Sequence, residues 1–373
     1  MPPTAARDSF RLIAIDGGGV RGVIPAMLLQ DLHHSVGLPF DQVDLLAGTS
    51  AGSLAAIGLA AGIDIDRITS VFQSTDACRR IFTPNKHADL TAGSGLGDFL
   101  LRAIERLARG EQHGVLGALD HLLNPRYTSG GFRGLIEELV APIKLRDLPQ
   151  RVFAPSLCLD TADDGQPMWR PTAFHNMGAR SNEDGFGDHA DATVIDAVMA
   201  SAAAPVDFPP YTYNNRLFVD GGMFAVNPSA LAIAAAVGAG LIGDGAVPLS
   251  QVRVLSLGTG ANATVYPPPA DVFPPPFGTL GWMWPAARGP RGSTPSLPLT
   301  CALMDAASEA ADYQTRMMLR PDNYRRIQFR LGNDHVPLDD ATAVPALIER
   351  TTAYLATEEW ARTRVWVRDV FMR

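Results

Sequence analysis

Two short stretches contain the residues whose types and spacing could perform chemistry. Residues 16–22 read DGGGVRG and residues 48–52 read GTSAG. The first has the G-x-G-x-x-G spacing of a loop that holds the diphosphate of a dinucleotide. The second has the G-x-S-x-G spacing of a turn that exposes a nucleophilic serine, here Ser50. The two patterns therefore predict different activities, nucleotide binding or attack on an ester.

The glycine loop supports either activity on physical grounds. Consecutive glycines leave backbone N–H groups bare at the start of a helix, where partial positive charge collects. Such N–H groups hold a phosphate or the oxyanion of a tetrahedral intermediate equally well. Asp16 disfavours a phosphate, because its carboxylate would lie beside the negative ligand, and the serine turn one strand later favours an oxyanion. A purely structural glycine turn is the third interpretation.

A serine hydroxyl needs a base, and the sequence offers two candidates. His335, in GNDHVPLDD, has the place expected for the chain order Ser–Asp–His, but a solvated loop histidine is the simpler interpretation. Asp220 follows the apolar run RLFV and precedes two glycines that leave room around its carboxylate. Asp16, Ser50 and Asp220 all follow predicted strands, and ligands of open parallel sheets bind at those strand ends. A turn-capping or helix-capping role is the alternative for Asp220.

These residues depend on the elements that precede them. Apolar runs predict strands at 11–15, 43–47, 151–159, 168–174, 216–219, 252–257 and 324–331. Helical spacing of apolar residues predicts helices at 22–36, 51–61, 98–109, 192–204, 226–239, 303–319 and 344–371. Strand, tight loop and helix repeat in order at the start of the chain, which is typical of parallel sheets with right-handed crossovers. The sequence predicts an α/β fold with three layers, α/β/α, around a central, mostly parallel sheet.

Composition excludes some classes of function. The 373 residues carry a formal net charge of −8, so the basic footprint of a nucleic-acid-binding protein is missing. Cys78, Cys158 and Cys301 are isolated, which predicts reduced thiols and no metal-ligand cluster. The first residues lack the pattern of a signal peptide, and the best candidate for a membrane span, 230–242, is too short and too weakly apolar to cross a bilayer. We therefore expect a cytoplasmic protein that contacts membranes at most transiently.

Residues 266–298 break the regular pattern. They contain ten of the 29 prolines, with Phe273, Phe277, Trp282 and Trp284 between them. Long loops of this kind often have a function of their own. Two interpretations stay open here: a lid that touches a lipid interface, or a loop whose aromatic side chains pack on the body of the protein.

Four motifs in order give the chain its resemblance to a known family. They are DGGGVRG (16–22), GTSAG (48–52), ASAAAPVDFPP (200–210) and VDGGMFAVNP (219–228). With these motifs the chain resembles the patatin-like phospholipases over about residues 10–332, and residues 333–373 are expected to form a helical extension packed on that domain. The last motif reads DGG where many members have Asp-Gly-Ala, and VNP where many have Asn-Asn-Pro.

The resemblance implies a serine lipid acyl hydrolase of the phospholipase A type. Ser50 would be the nucleophile and Asp220 the general base of a dyad that needs no histidine, metal or cofactor. The backbone N–H groups of Gly17, Gly18 and Gly19 would form the oxyanion hole.

Two further residues are implied to contact the substrate. Arg21 matches the basic position of the family's glycine loop, although it could also brace that loop by pairing with a carboxylate. Pro205, in the third motif, would help to line the wall of the active site.

The partners implied are a phospholipid or related acyl ester and, transiently, a membrane surface, with no nucleic acid. Some members of the family act in bacterial defence or virulence. A signal-gated effector, activated by a nucleotide or another partner, is therefore one alternative function. A nucleotide-binding protein that uses the G-x-G-x-x-G loop is the other.

Overall fold

The computed structural model describes residues 9–85, 124–161, 168–178, 189–261, 282, 298–332 and 336–373. The predicted helix at 98–109 and the histidine His335 lie outside these residues. So does the predicted lid segment at 266–298, apart from Trp282 and Pro298.

One sheet organises the described residues. Its strands are β1 (Phe10–Ile15), β2 (Leu45–Gly48), β3 (Arg151–Thr161), β4 (Met168–His175), β5 (Tyr211–Tyr213), β6 (Arg216–Asp220), β7 (Val252–Leu257) and β8 (Tyr324–Ile327). The pairs β8–β7, β7–β1, β1–β2 and β2–β3 are parallel. The pairs β3–β4, β3–β6 and β6–β5 are antiparallel. The predicted mostly parallel sheet is confirmed, and the antiparallel end is the part that was not predicted.

Helices cover both faces of this sheet. They are α1 (Val23–Val36), α2 (Ala51–Ala60), α3 (Ile65–Gln73), α4 (Thr75–Ile81), α5 (Gly130–Leu139), α6 (Val194–Ser201), α7 (Ser229–Gly238), α8 (Pro298–Met318), α9 (Val344–Leu355) and α10 (Glu358–Trp366). Alternate residues of β1 point to opposite sides. Ile13 and Ile15 belong to a core with α1, α2 and α6. Leu12 belongs to a second core with Ala232 and Ile233 of α7. The layers are therefore helix, sheet, helix.

The long strand β3 brings two strand ends together. Phe153 pairs with β2 on one edge and with β4 on the other. Ser156 pairs with β4 and with Asp220 of β6. A strand has two edges, so β6 lies on the same edge of β3 as β2 does. Because β2 runs parallel to β3 and β6 antiparallel, their last residues approach each other from opposite directions near Pro155.

Several element boundaries differ from the predicted ones. The last strand ends at Ile327 rather than at residue 331, because its partner β7 ends at Leu257, opposite Ile327. The closing helix, expected to run unbroken from 344 to about 371, divides into α9 and α10. Thr357 caps α10 by accepting a hydrogen bond from the N–H of Trp360 (3.3 Å), which starts a new helix there.

The residues after β8 pack on the same core as the first helix. Trp360 and Phe371 are fully buried there. The indole Nε1 of Trp360 donates to Asp31 of α1 (2.8 Å), and Arg364 pairs with the same carboxylate. A domain boundary at 332/333 stays a prediction.

Candidate active site

Ser50 sits on a sharp turn between β2 and α2. Its backbone has φ +53° and ψ −124°, a conformation that costs a residue with a side chain about 1–3 kcal/mol. A Cβ atom on Gly48 would collide with the carbonyl of Gly52, and one on Gly52 would collide with the carbonyl of Ile15. Only glycine fits at both positions, which explains the GTSAG spacing. The turn therefore has the geometry of a nucleophile elbow.

Asp220 is the last residue of β6 and lies opposite this turn. Its side chain is only 6% exposed. The N–H of Gly222 donates to the carboxylate at 2.6 Å. Burial raises the pKa of Asp220 to about 6, while the nearby Ser50 side chain and the Gly222 amide act in the opposite direction. Asp220 therefore caps the turn at 221–223, as the alternative role proposed, and lies close to Ser50 as well.

The end of helix α6 holds both of these residues. The N–H of Ser50 donates to Oγ of Ser201 (3.1 Å), and the N–H of Asp220 donates to the carbonyl of Ala203 (2.9 Å). The Ser201 hydroxyl itself donates to the carbonyl of Pro155 in β3 (2.7 Å). The third motif thus fixes the elbow and the carboxylate relative to one strand. Sequence reasoning did not identify Ser201, although it lies within that motif.

The glycine loop lies directly against the elbow. A Cβ atom on Gly17 would lie 3.2 Å from Cβ of Ser50. The N–H of Gly17 donates to the carbonyl of Val226 (3.0 Å). This amide is therefore occupied, contrary to the prediction that it faces an oxyanion. Among the described residues, the N–H groups of Gly18 and Gly19 have no hydrogen-bond acceptor.

Close packing explains two of the loop's glycines. A Cβ atom on Gly18 would collide with Thr259, and one on Gly19 would collide with the carbonyl of Leu338. Gly19 also has φ +55°, which other residues adopt only with strain. The same Leu338 carbonyl accepts a hydrogen bond from the N–H of Val20 (2.8 Å). The loop therefore packs against Thr259, which follows β7, on one side and against Leu338 on the other.

Asp16 is buried beneath the glycine loop and is paired. Nη1 and Nη2 of Arg326, on β8, lie 2.7 and 2.5 Å from its two carboxylate oxygens. Both side chains are at most 5% exposed. Although burial disfavours a charged guanidinium, the adjacent Asp16 keeps the pKa of Arg326 above its ordinary value. Sequence reasoning placed Asp16 near the site but missed Arg326, because no motif links residues 310 positions apart.

Arg21 and Pro205 differ in how much contact they make. Nη1 of Arg21 donates to the carbonyl of Gly260 (3.2 Å), and the carboxylates of Asp305 and Asp16 are its charged neighbours. Burial lowers the pKa of Arg21 despite them. These contacts favour the bracing role that the sequence left open. Pro205 is exposed in the loop after α6, and a role for either residue in substrate binding stays a prediction.

A second acidic cluster, partly buried, influences Asp220. Arg126 pairs with Asp207 (3.1 Å) and with Asp339 (2.9 Å), and the Tyr127 hydroxyl donates to Asp339 (2.6 Å). Burial raises the pKa of Asp207 to about 6, and its negative charge contributes to the raised pKa of Asp220. This cluster ties the third motif to the segment that carries Leu338.

Comparison with known proteins agrees with the four motifs. The family model described as "Patatin-like phospholipase" matches residues 13–233. This match covers more than half of the chain, and the chain belongs to the patatin-like phospholipase family. Members of this family are hydrolases of lipid esters. In the described residues, no helix is long and apolar enough to span a membrane.

The relatives vary in how much of their length is matched. A "cGAMP-activated phospholipase" of Pseudomonas aeruginosa is 28% identical over 59% of this chain and 54% of its own, so the chain spans about half of that relative. "Protein teg" of Priestia megaterium is 25% identical over 91% and 93% of the two chains. "Patatin-like protein 1" of Oryza sativa subsp. indica is 27% identical over 70% and 61%.

Among solved structures, ExoU in complex with SpcU, from the type III secretion system of Pseudomonas aeruginosa, is similar at 15% identity. The similarity covers 96% of this chain and 62% of the ExoU chain, with a TM-score of 0.31. A score this low supports no conclusion about this chain.

Proposed function

We propose that this protein is a serine lipid acyl hydrolase of the phospholipase A type, with Ser50 as nucleophile and Asp220 as general base. The observation that carries the proposal is the closeness of the Ser50 side chain to the buried Asp220 carboxylate, where it opposes the rise in pKa that burial causes. The strained φ of Ser50 adds support, because backbone strain of this size is concentrated at functional sites.

The reaction follows from this arrangement. Oγ of Ser50 attacks the acyl carbonyl while its proton passes to Asp220, and the alcohol portion of the lipid leaves with that proton. Asp220 then takes a proton from water, which attacks the acyl-enzyme, and returns this proton to Oγ of Ser50 as the fatty acid leaves. A base with a pKa of about 6 is ionised at neutral pH and basic enough to accept a proton.

The oxyanion is assigned to the amides of Gly18 and Gly19. Gly17 is left out of this assignment because its N–H donates to Val226. Bare amides at the start of the short helical turn at 19–22 stabilise negative charge as it develops on the carbonyl oxygen. Close packing against Thr259 and Leu338 accounts for the glycines here without a bound nucleotide.

The test is fatty-acid release from mixed phospholipid vesicles. We expect the Ser50→Ala and Asp220→Asn variants to lose activity by at least about 1,000-fold, since the two groups act as a unit. His335→Ala, with folding checked by circular dichroism, is expected to behave as the parent. If the His335→Ala variant is folded but inactive, the catalytic group is a triad rather than a dyad. If the parent protein releases no fatty acid, nucleotide binding is the function to test next.

A second candidate function is a hydrolase that a signal switches on. It is favoured by relatives named cGAMP-activated phospholipases, in Pseudomonas aeruginosa and Escherichia coli, each 28% identical to this chain. The same vesicle assay with and without added cGAMP distinguishes the two. A rate that rises severalfold with cGAMP supports gating, whereas an equal rate supports an enzyme that needs no such activator.

A further inference from the structure

Two arginines lie side by side where the central strands of the sheet begin. Arg11 of β1 and Arg253 of β7 are partners in the parallel register of these strands, and neighbouring strands lie about 4.8 Å apart. The next residue of each strand, Leu12 and Val254, belongs to the core with α7. Because side chains alternate, both guanidinium groups lie on the opposite face, with α1. We call Arg11 and Arg253 the arginine pair.

Neither guanidinium group has a partner among the residues that the structure describes. Nε of Arg11 and Nη1 of Arg253 are buried without a hydrogen-bond acceptor, and neither side chain forms an ion pair there. Both side chains are half-buried. Buried N–H groups of folded proteins almost always have an acceptor. The arginine pair therefore offers buried donors that the described chain leaves unused.

A third arginine adds positive charge to the same place. Arg373 follows the last helical turn (Val367–Phe371), which packs against β7. The pKa of Arg253 lies below its ordinary value because the side chain is partly buried and because Arg11 and Arg373 are near. Like charges side by side on neighbouring strands destabilise a sheet. An anion held between them would remove this repulsion.

Two carboxylates in these segments are engaged elsewhere. Asp44 accepts the backbone N–H of Arg11 (2.8 Å). Asp369 pairs with Arg368 (2.9 Å) and lies 4.0 Å from Arg373. Neither carboxylate forms an ion pair with the side chains of the arginine pair, so the positive charge there is not neutralised by these groups.

We propose that the arginine pair binds the phosphate group of a ligand. A guanidinium group presents its N–H donors as a planar fork that matches two oxygens of a phosphate, and such charge-assisted hydrogen bonds are stronger than neutral ones. A phosphate monoester carries a charge of about −1.5 to −2 at neutral pH, which two arginines neutralise. A single carboxylate would neutralise only one of them. Soluble phosphate compounds and lipid headgroups both carry this group.

The proposed phosphate site is separate from the candidate active site. Arg11 is the second residue of β1, and Asp16 follows the last one. Five residues of a strand span about 16 Å, so the glycine loop and Ser50 lie at the opposite edge of the sheet. A ligand on the arginine pair would not take the place of a substrate at Ser50. The proposal therefore does not depend on the proposed function.

The first test measures phosphate binding by the full chain. Isothermal titration calorimetry with inorganic phosphate, in about 0.15 M sodium chloride, compares the parent with the variant that carries Arg11→Gln and Arg253→Gln. The matched control carries Arg79→Gln and Arg320→Gln, which remove the same charge from exposed positions. We expect the first variant to bind phosphate at least about 10-fold more weakly, and the control to change the affinity less than about twofold.

Thermal unfolding shows that the variants are folded and gives a second readout. A ligand that binds only the folded protein raises its Tm. At constant ionic strength, phosphate is expected to raise the Tm of the parent and of the control more than that of the variant without the arginine pair. Without phosphate, that variant is expected to be at least as stable as the parent, because the repulsion between the two arginines is gone.

Two further ligands identify the source of the phosphate group. Glycerol 3-phosphate represents a soluble monoester, and flotation of the Ser50→Ala protein with vesicles that contain phosphatidic acid represents a lipid headgroup. Binding that is lost with the arginine pair supports the phosphate site in either case. The ligand with which this loss occurs identifies the source.

Two outcomes overturn the proposal. One is an equal response of the parent and of the variant without the arginine pair to inorganic phosphate, glycerol 3-phosphate and the vesicles. The other is acetate binding as tight as phosphate binding, which would mean that the arginines attract anions in general. The Ser50→Ala protein is expected to bind inorganic phosphate as the parent does, and this result holds whether or not the parent hydrolyses lipids.

Discussion

The hydroxyl of Ser201 lies between Ser50 and Pro155, accepting the N–H of the first (3.1 Å) and donating to the carbonyl of the second (2.7 Å). A fully buried side chain thus links the candidate elbow to the one strand along which β2 and β6 both lie. The position of the candidate nucleophile therefore depends on a residue that has no role in the proposed reaction.

Replacing Ser201 by alanine therefore tests a positioning role. We expect kcat to fall about 10-fold with little change in KM, because a misplaced nucleophile slows the chemical step. The free energy of unfolding is expected to fall by about 1–3 kcal/mol, since the Pro155 carbonyl and the Ser50 N–H lose their partner. Ser70→Ala, which removes an exposed hydroxyl bonded within α3, is the control. An unchanged kcat contradicts the role.

The raised pKa of Asp220 predicts how the rate depends on pH. Asp220 must be ionised to accept a proton, and burial raises its pKa to about 6. Activity is therefore expected above pH 6 and is lost as the pH falls through about 6, well above the ordinary pKa of aspartate. The measurement is kcat/KM between pH 4.5 and 8 on a monomeric ester. A rate that stays constant down to pH 4.5 would exclude Asp220 as the base with this pKa.

The raised pKa of Asp220 also makes the stability of the folded protein depend on pH, with a trend opposite to that of activity. A carboxyl whose pKa is raised on folding stabilises the protein below its unfolded pKa, and this contribution is lost as the pH rises through about 6. Asp220→Asn has no such loss. We expect its advantage in free energy of unfolding over the parent to be about 1 kcal/mol larger at pH 8 than at pH 5. Urea unfolding at both pH values measures it, and a difference independent of pH would refute the prediction.

Gly19 is expected to tolerate alanine much less well than Gly37. Both have positive φ, +55° and +72°, so alanine is strained by about 1–2 kcal/mol at either position. Only at Gly19 would the new Cβ also collide with the carbonyl of Leu338, whereas Gly37 has open space. Urea unfolding is expected to show a clearly larger loss for Gly19→Ala. Equal losses would mean that the 338 segment moves aside without cost.

The buried pair of Asp16 and Arg326 predicts strong coupling. Asp16→Asn or Arg326→Met alone leaves the other charge buried and unpaired, which costs about 3–5 kcal/mol. The double variant leaves no charge behind and is expected to be more stable than the sum of the two single losses predicts. Unfolding free energies of the four proteins complete the cycle. Additive losses would show that the two charges do not depend on each other.

The sequence predicted those parts of the site that lie within single motifs. GTSAG and DGGGVRG each describe a local turn, so the elbow at Ser50 and the packed glycines could be read directly. Ser201, Arg326 and Leu338 act through contacts between distant segments, and no local spacing encodes such contacts. Gly17 shows the same limit: its motif was recognised, but its amide donates to the carbonyl of Val226, a residue of a different motif.

In the fold, too, local patterns could be predicted and contacts between distant segments could not. The apolar runs of the buried parallel strands and the first βαβ units were readable, since each strand is hydrophobic on both faces. The pairing of β2 and then β6 with the same edge of β3 could not be predicted from the sequence. It depends on the length of β3, which extends to Thr161 and is 11 residues long.

The contacts of the glycine loop have a consequence for how the protein is made. During synthesis the stretch 16–22 and Ser50 leave the ribosome early, but the residues that hold the loop come much later: Val226, Thr259, Arg326 and Leu338. A nascent chain that carries Ser50 therefore lacks Asp220 until translation has passed residue 220, and it lacks the full set of contacts that hold the glycine loop until translation has passed residue 338. Under the proposed function, an incomplete chain would therefore have no formed site for lipid hydrolysis during its synthesis.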